Sequence, residues 1–153
     1  MNSEHAFATF RIAGPRLIPE EVTKILALRP DLHYAKGEKY RRRAGRPGLT
    51  GKTGLWYYSS DKLLQDDLPL EDHVNFLLKA ILSHRDALRD LIKKTSSRAV
   101  LTIFWNGPDG AKKPSVPDFV RESLQTIPVE IESDFDTDEV PPDAKRAILR
   151  GRR

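Results

Sequence analysis

Five short apolar runs alternate along the chain with three amphipathic segments, and that order narrows the possible folds more than any other feature. The run Phe7 to Ile12 is β-branched and aromatic and stops at Gly14-Pro15, a strand and a turn. Pro19-Glu20-Glu21 then opens a helix, with proline in the first turn and acids at the positive end of the dipole. Val22, Ile25, Leu26 and Leu28 form its apolar face, and Pro30 is expected to end it. Leu32 to Gly37 reads as a short strand. Leu55 to Ser60 is another, with Trp56 and Tyr58 on one face and Leu55 and Tyr57 on the other.

A long helix is expected from Pro69 to Lys94, because Val74, Leu77, Leu78, Ile81, Leu88 and Leu91 recur at helical spacing. Ala99 to Trp105 is apolar on both faces and suits a central strand. Pro117 stands near the start of a shorter helix over residues 116–127. Val129 to Phe135 alternates, with Val129, Ile131 and Phe135 inward and Glu130, Glu132 and Asp134 outward, as in an edge strand with one wet face. The order β-α-β-β-α-β-α-β predicts an α+β fold. Its first six elements match a ferredoxin-like split βαβ core, extended by a helix and a strand. The helices should pack on one face of a mostly antiparallel sheet. One domain over residues 1–139 is expected, followed by a mobile basic tail at 140–153.

The chain has 153 residues, a length that fits one domain with a real core. It has no cysteine, which removes disulfides, thiolate metal sites and a cysteine nucleophile, and fits a cytoplasmic protein. The N-terminus lacks the basic start and apolar run of a signal peptide, and no apolar stretch approaches the roughly 18 residues of a membrane helix. Formal net charge is +4, unevenly spread. Lys36, Lys39, Arg41, Arg42, Arg43, Arg46 and Lys52 face one acid, Glu38, across residues 36–53. Lys145, Arg146, Arg150, Arg152 and Arg153 crowd the C-terminus. Residues 38–54 read as a long basic, glycine-rich loop, a length associated with function or mobility.

Gly51-Lys52-Thr53 resembles the end of a phosphate-binding loop, but Arg46 stands where the first glycine belongs. A strand also follows, where a helix N-terminus should face phosphate. Gly45-Arg46-Pro47 is one degenerate copy of a minor-groove arm. Trp56, Tyr58 and Trp105 suit either base stacking on an open sheet or, more simply, the core. Asp134, Asp136 and Asp138 alternate as in a carboxylate site, but Glu139 and Lys145 stand where a calcium loop needs glycine and glutamate. His5, His33, His73 and His84 form no ligand pair by spacing, and no catalytic trio follows from order alone.

Four short motifs occur in a fixed order: Phe10-Arg11-Ile12 with Gly14, Pro19-Glu20-Glu21, Lys36-Gly37, and Gly54 with Trp56. Together with the helix beginning "LEDHVNFLLKAI", they resemble the bacterial domain of unknown function 4279 over roughly residues 5–136. That resemblance implies no activity. The motifs suggest Lys36 and Trp56 near the base of a hairpin, gripping an anionic group, or else Trp56 as core and the glycines as turn formers.

The leading expectation is a non-enzymatic binding module for a protein partner or a small anionic ligand. Its contact residues would be Lys36, Arg41, Arg42, Arg43, Arg46, Lys52 and Trp56, with no catalytic residue, metal or cofactor. One alternative is a nucleic-acid binder using the basic loop and tail, whose affinity would fall with salt. The other is a metal-dependent hydrolase or transferase using the carboxylates at 134–138.

Overall fold

The structure, a computed structural model, describes residues 4–40, 49–65 and 67–137. Its sheet has five strands: β1 (His5–Gly14), β2 (Leu32–Tyr34), β5 (Gly54–Ser59), β6 (Arg98–Gly107) and β7 (Val129–Thr137). A separate two-stranded ladder holds β3 (Lys39–Tyr40) and β4 (Leu49–Thr50). The order across the sheet is β2-β5-β1-β6-β7, with every pair antiparallel except β6 and β7. β5 therefore lies between β1 and β2, and β1 lies between β5 and β6. The α+β reading is borne out. β6 is paired on both sides, while β7 is the wet edge its alternation indicates.

The four helices are α1 (Pro19–Leu26), α2 (Leu70–Ser83), α3 (Arg85–Thr95) and α4 (Asp118–Ser123). One core cluster joins buried residues of the helical segments to Ala8, Phe10, Ile12, Trp56, Tyr58, Leu101 and Ile103. Those strand residues all share one side of the sheet, so the helices cover that side and leave the other open.

Three local expectations need correction. The helix expected from Pro69 to Lys94 is two helices, separated at His84, whose φ of −130° and ψ of 34° leave the helical region. As one rod, residues 70–95 would run about 39 Å, longer than the roughly 33 Å of a ten-residue strand. The break lets both Val74–Ile81 and Leu88–Ile92 stay over the sheet. The helix expected over residues 116–127 is helical only at Asp118–Ser123, then continues in turns that still bury Leu124 and Ile127. The first helix stops before Pro30: Ala27 adopts a left-handed φ of 56° and its N–H bonds Thr23 O at 2.8 Å.

The segment 38–54 is also not wholly loop. The β3–β4 ladder occupies its base, locked by Gly37 N–H to Gly51 O and Gly51 N–H to Glu38 O, both 2.9 Å. Arg41, Arg42, Arg43 and Arg46 lie outside the described residues, as do Asp138 and the tail from residue 138 on.

Candidate functional site

The motif residues singled out in the sequence have mainly structural work. Ala35 to Glu38 is a turn closed by Glu38 N–H to Ala35 O at 3.0 Å. Gly37 holds φ +84° at its third position, where a type II turn needs glycine. Lys36 sits exposed at the second position, and Lys52 is exposed on the returning arm. Gly14 and Gly54 face each other across β1 and β5. A Cβ on Gly54 would stand 2.8 Å from Leu17 O and 2.9 Å from Gly14 O, so backbone occupies that space.

Trp56 corrects the hairpin-grip idea. It is 0% exposed, packed edge-on to Phe10 with ring centroids 6.2 Å apart, and its Nε1–H donates to Thr23 Oγ1 at 3.0 Å. It points into the core, away from the solvent side where Lys36 stands. Tyr58 and Trp105 are likewise buried, at 2% and 7% exposure, so none of these three aromatics offers a stacking surface.

The open face is built from the opposite phase of the same strands. Cross-strand register aligns Tyr57, Arg11, Val100 and Glu130 in one row, then Ser59, Thr9, Thr102 and Glu132. The next row is Phe7, Phe104 and Asp134, and the last is His5, Asn106 and Asp136. Phe7 and Phe104 stack with centroids 4.5 Å apart and planes 13° from parallel. Asp134 lies one strand further on, about 5 Å away across the ladder. Two adjoining clefts of about 400 Å³ and about 350 Å³ share Phe104 and Asp134 as walls. Both rings are half-buried, whereas Glu132, Asp134 and Asp136 are exposed. The face thus combines a π-surface, a carboxylate strip and one central cation, Arg11.

Arg98 braces one end of that strip. Its Nε and Nη2 reach Glu130 at 2.6 and 2.7 Å in a two-point contact. The guanidinium hydrogen bond holds the Glu130 carboxyl below its ordinary pKa. A lowered carboxylate pKa adds stability above the unfolded value, and that contribution is lost as pH falls through the folded one. Both side chains are solvent-exposed, so the effect is small. The melting-temperature gap between wild type and Arg98→Ala should therefore narrow as pH falls from about 7 through the lowered folded pKa of Glu130. Differential scanning calorimetry across that range checks it.

One further pair was invisible in the sequence. Ser60 Oγ and His73 Nδ1 lie 2.7 Å apart, the geometry of a hydroxyl activated by a base. Yet both residues are 0% exposed. Ala8 N–H donates to Ser60 Oγ at 2.9 Å, and His73 Nε2 meets Gln65 O at 2.9 Å. A carbonyl only accepts, so Nε2 carries the proton and Nδ1 accepts from Ser60. The chain of donations ties β1, the turn after β5 and α2 together. It closes no site that a substrate reaches.

Among the described residues, no group of three or more His, Asp or Glu converges as metal ligands. Asp134 and Asp136 lie along one edge strand, and Asp138 is outside the described residues. Among the described residues no helix is long and apolar enough to cross a membrane. A cleft of about 370 Å³ between α1 and α3 is lined by Glu21, Asp90, Lys24 and Lys94, whose charges offset one another.

The family model for a domain of unknown function, DUF4279, matches residues 3–138. No curated protein matches the chain, and no solved structure does.

Proposed function

We propose that this chain, which belongs to the DUF4279 family, is a non-enzymatic binding module whose open sheet face takes a basic segment of a protein partner. The observation that carries this reading is the Phe7–Phe104 stack standing beside Asp134. A guanidinium lies flat on an aromatic ring and keeps its edge free for hydrogen bonds. A carboxylate one strand away is placed to accept them. Glu132 and Asp136 flank Asp134 along β7 and extend the attraction to neighbouring cations. The same carboxylates repel a phosphate backbone, which argues against nucleic acid on this face.

The test is fluorescence anisotropy of a labelled hexaarginine peptide at low salt. Binding is expected, and Phe104→Ala and Asp134→Asn should each weaken it about tenfold, corresponding to about 1.4 kcal/mol. Lys36→Ala should leave it unchanged. No binding at low salt would remove the proposal.

A second reading keeps the anionic partner expected from the sequence. Lys36, Lys39 and Lys52 are exposed near the β3–β4 ladder, and Arg41, Arg42, Arg43 and Arg46 lie between its two strands in sequence. A hexaglutamate peptide in the same assay tests it. Capture lost on replacing Lys36 and Lys52 by alanine would support it, and no capture would remove it.

A further inference from the structure

We infer that the partner's basic segment binds as an added strand along the outer edge of β7, and that its sequence alternates cationic with apolar residues. The inference rests on the reading of the open face as a cation-recognising surface, and says how the partner's backbone is held there. Its independent support is the edge itself. β7 closes one side of the five-stranded sheet, and among the described residues no strand pairs with its outer side. Alternate residues of such a strand turn their N–H and C=O groups outward, as a template for another chain. The N–H groups at its two ends are already met, Val129 by Ile127 O at 2.8 Å and Thr137 by Asp136 Oδ1 at 2.9 Å. The open run lies between them.

Sheet edges are blunted by brevity, proline, bulges or charge. The opposite edge, β2, has only three residues. β7 has nine, with no proline, and its register with β6 runs without a bulge from Ala99–Val129 to Gly107–Thr137. Its guard is charge. A second copy pairing antiparallel about Ser133 would set Glu132 of each chain against Asp134 of the other, like charges directly opposite. A strand with arginine or lysine opposite Glu132, Asp134 and Asp136 turns that repulsion into attraction. Glu130, held by Arg98, adds less. An arginine opposite Asp134 starts two strand spacings, about 10 Å, from β6, and its side chain extends over Asp134 towards the Phe104 ring. The intervening side chains fall on the helix side, beside Val129, Ile131 and Phe135, which the fold leaves only partly buried. Apolar residues at those positions complete the cover. Main-chain bonds then supply affinity and the alternating side chains supply selectivity.

The experiment measures fluorescence anisotropy of labelled peptides on the full chain at low salt. The parent probe is Arg-Val-Arg-Val-Arg-Val-Arg, and its isomer of equal composition is Arg-Arg-Arg-Arg-Val-Val-Val. The parent should bind at least about tenfold tighter than the isomer. Two further versions of the parent carry backbone N-methyl groups, one on its valines and one on its inner arginines. In an extended strand these two sets point their N–H groups to opposite edges. One version should therefore lose the tenfold gain while the other keeps it. Amide hydrogen exchange in the complex should slow along the open run of β7 and stay unchanged in β2.

Equal affinity of parent and isomer, or of the two methylated versions, with binding still weakened by Asp134→Asn, overturns the strand pairing and leaves the sheet-face reading intact. A dimer formed without peptide, with slowed exchange along β7, gives the edge to a second copy and overturns the proposal. Failure of both the parent peptide and hexaarginine to bind removes the sheet-face reading itself, and the strand pairing with it.

Discussion

Replacing Ser60 by alanine should lower the melting temperature by roughly 10 °C without touching any exposed surface. The hydroxyl is 0% exposed and serves two partners, accepting from Ala8 N–H at 2.9 Å and donating to His73 Nδ1 at 2.7 Å. Removal leaves both groups buried and unpaired, at about 1–3 kcal/mol each. For a domain of this length, 1 kcal/mol moves the midpoint by about 2–4 °C. The network makes a second, sharper demand. Ser60→Ala and His73→Leu together should cost less than the sum of the single changes, by about 0.5–3 kcal/mol, because the first change has already broken the bond the second removes. Thermal denaturation of the two single variants and the double checks both points. A Ser60→Ala midpoint within 2 °C of wild type, or strict additivity, would contradict the network.

Trp56→Ala should cost about 3–5 kcal/mol, the range for emptying a large aromatic site in a core. Phe10 and Tyr58, each 6.2 Å from the indole between ring centroids, would border the cavity. Thr23 Oγ1 would also lose its donor. Trp56→Phe separates the contributions: most of the volume stays, and the hydrogen bond, worth about 1 kcal/mol, goes. Urea denaturation gives the stability, and peptide binding per folded molecule gives the function. Binding should be unchanged in Trp56→Phe, since the indole points away from the open face. Loss of binding at full stability would return Trp56 to the ligand-contact role expected from the sequence.

These two residues mark what a sequence discloses and what it withholds. Trp56 and Tyr58 share a strand face because strand periodicity is two, and that phase was readable without a structure. The same rule separated Phe104 from Leu101, Ile103 and Trp105. Nothing along the chain, however, brings Phe7 to Phe104: antiparallel pairing of β1 with β6 does so across nearly the whole domain. Ser60 and His73 sit thirteen residues apart in no recognised motif, and burial alone unites them. The break at His84 was hidden for a different reason. Ile81 and Leu88 are seven residues apart, the spacing an unbroken helix shows, so periodicity cannot register the kink. The β3–β4 ladder leaves no sequence signal because two-residue strands have no alternation to read, and its base is held by backbone bonds at Gly37 and Gly51.

The short motifs tying the chain to its family are better explained by packing than by ligand contact. Gly37 serves a turn, Gly54 a close backbone approach and Trp56 the core. The conspicuous motifs cluster at the hairpin base, while the aromatic and acidic face has no local signature. Its visible clue was modest: Phe7 and Phe104 lie on the phase of their strands that also carries Arg11 and Thr102, opposite the core.

Nuclear magnetic resonance mapping of hexaarginine on the full-length chain tests the central claim most directly. Amide shifts should concentrate on Phe7, Thr9, Phe104, Asp134 and Asp136, and fade as salt is raised beyond about 0.5 M, where exposed charges are strongly screened. Shifts confined to the helical face or to the Lys36–Lys52 arm, with the Phe7 and Phe104 signals unmoved, would contradict the account.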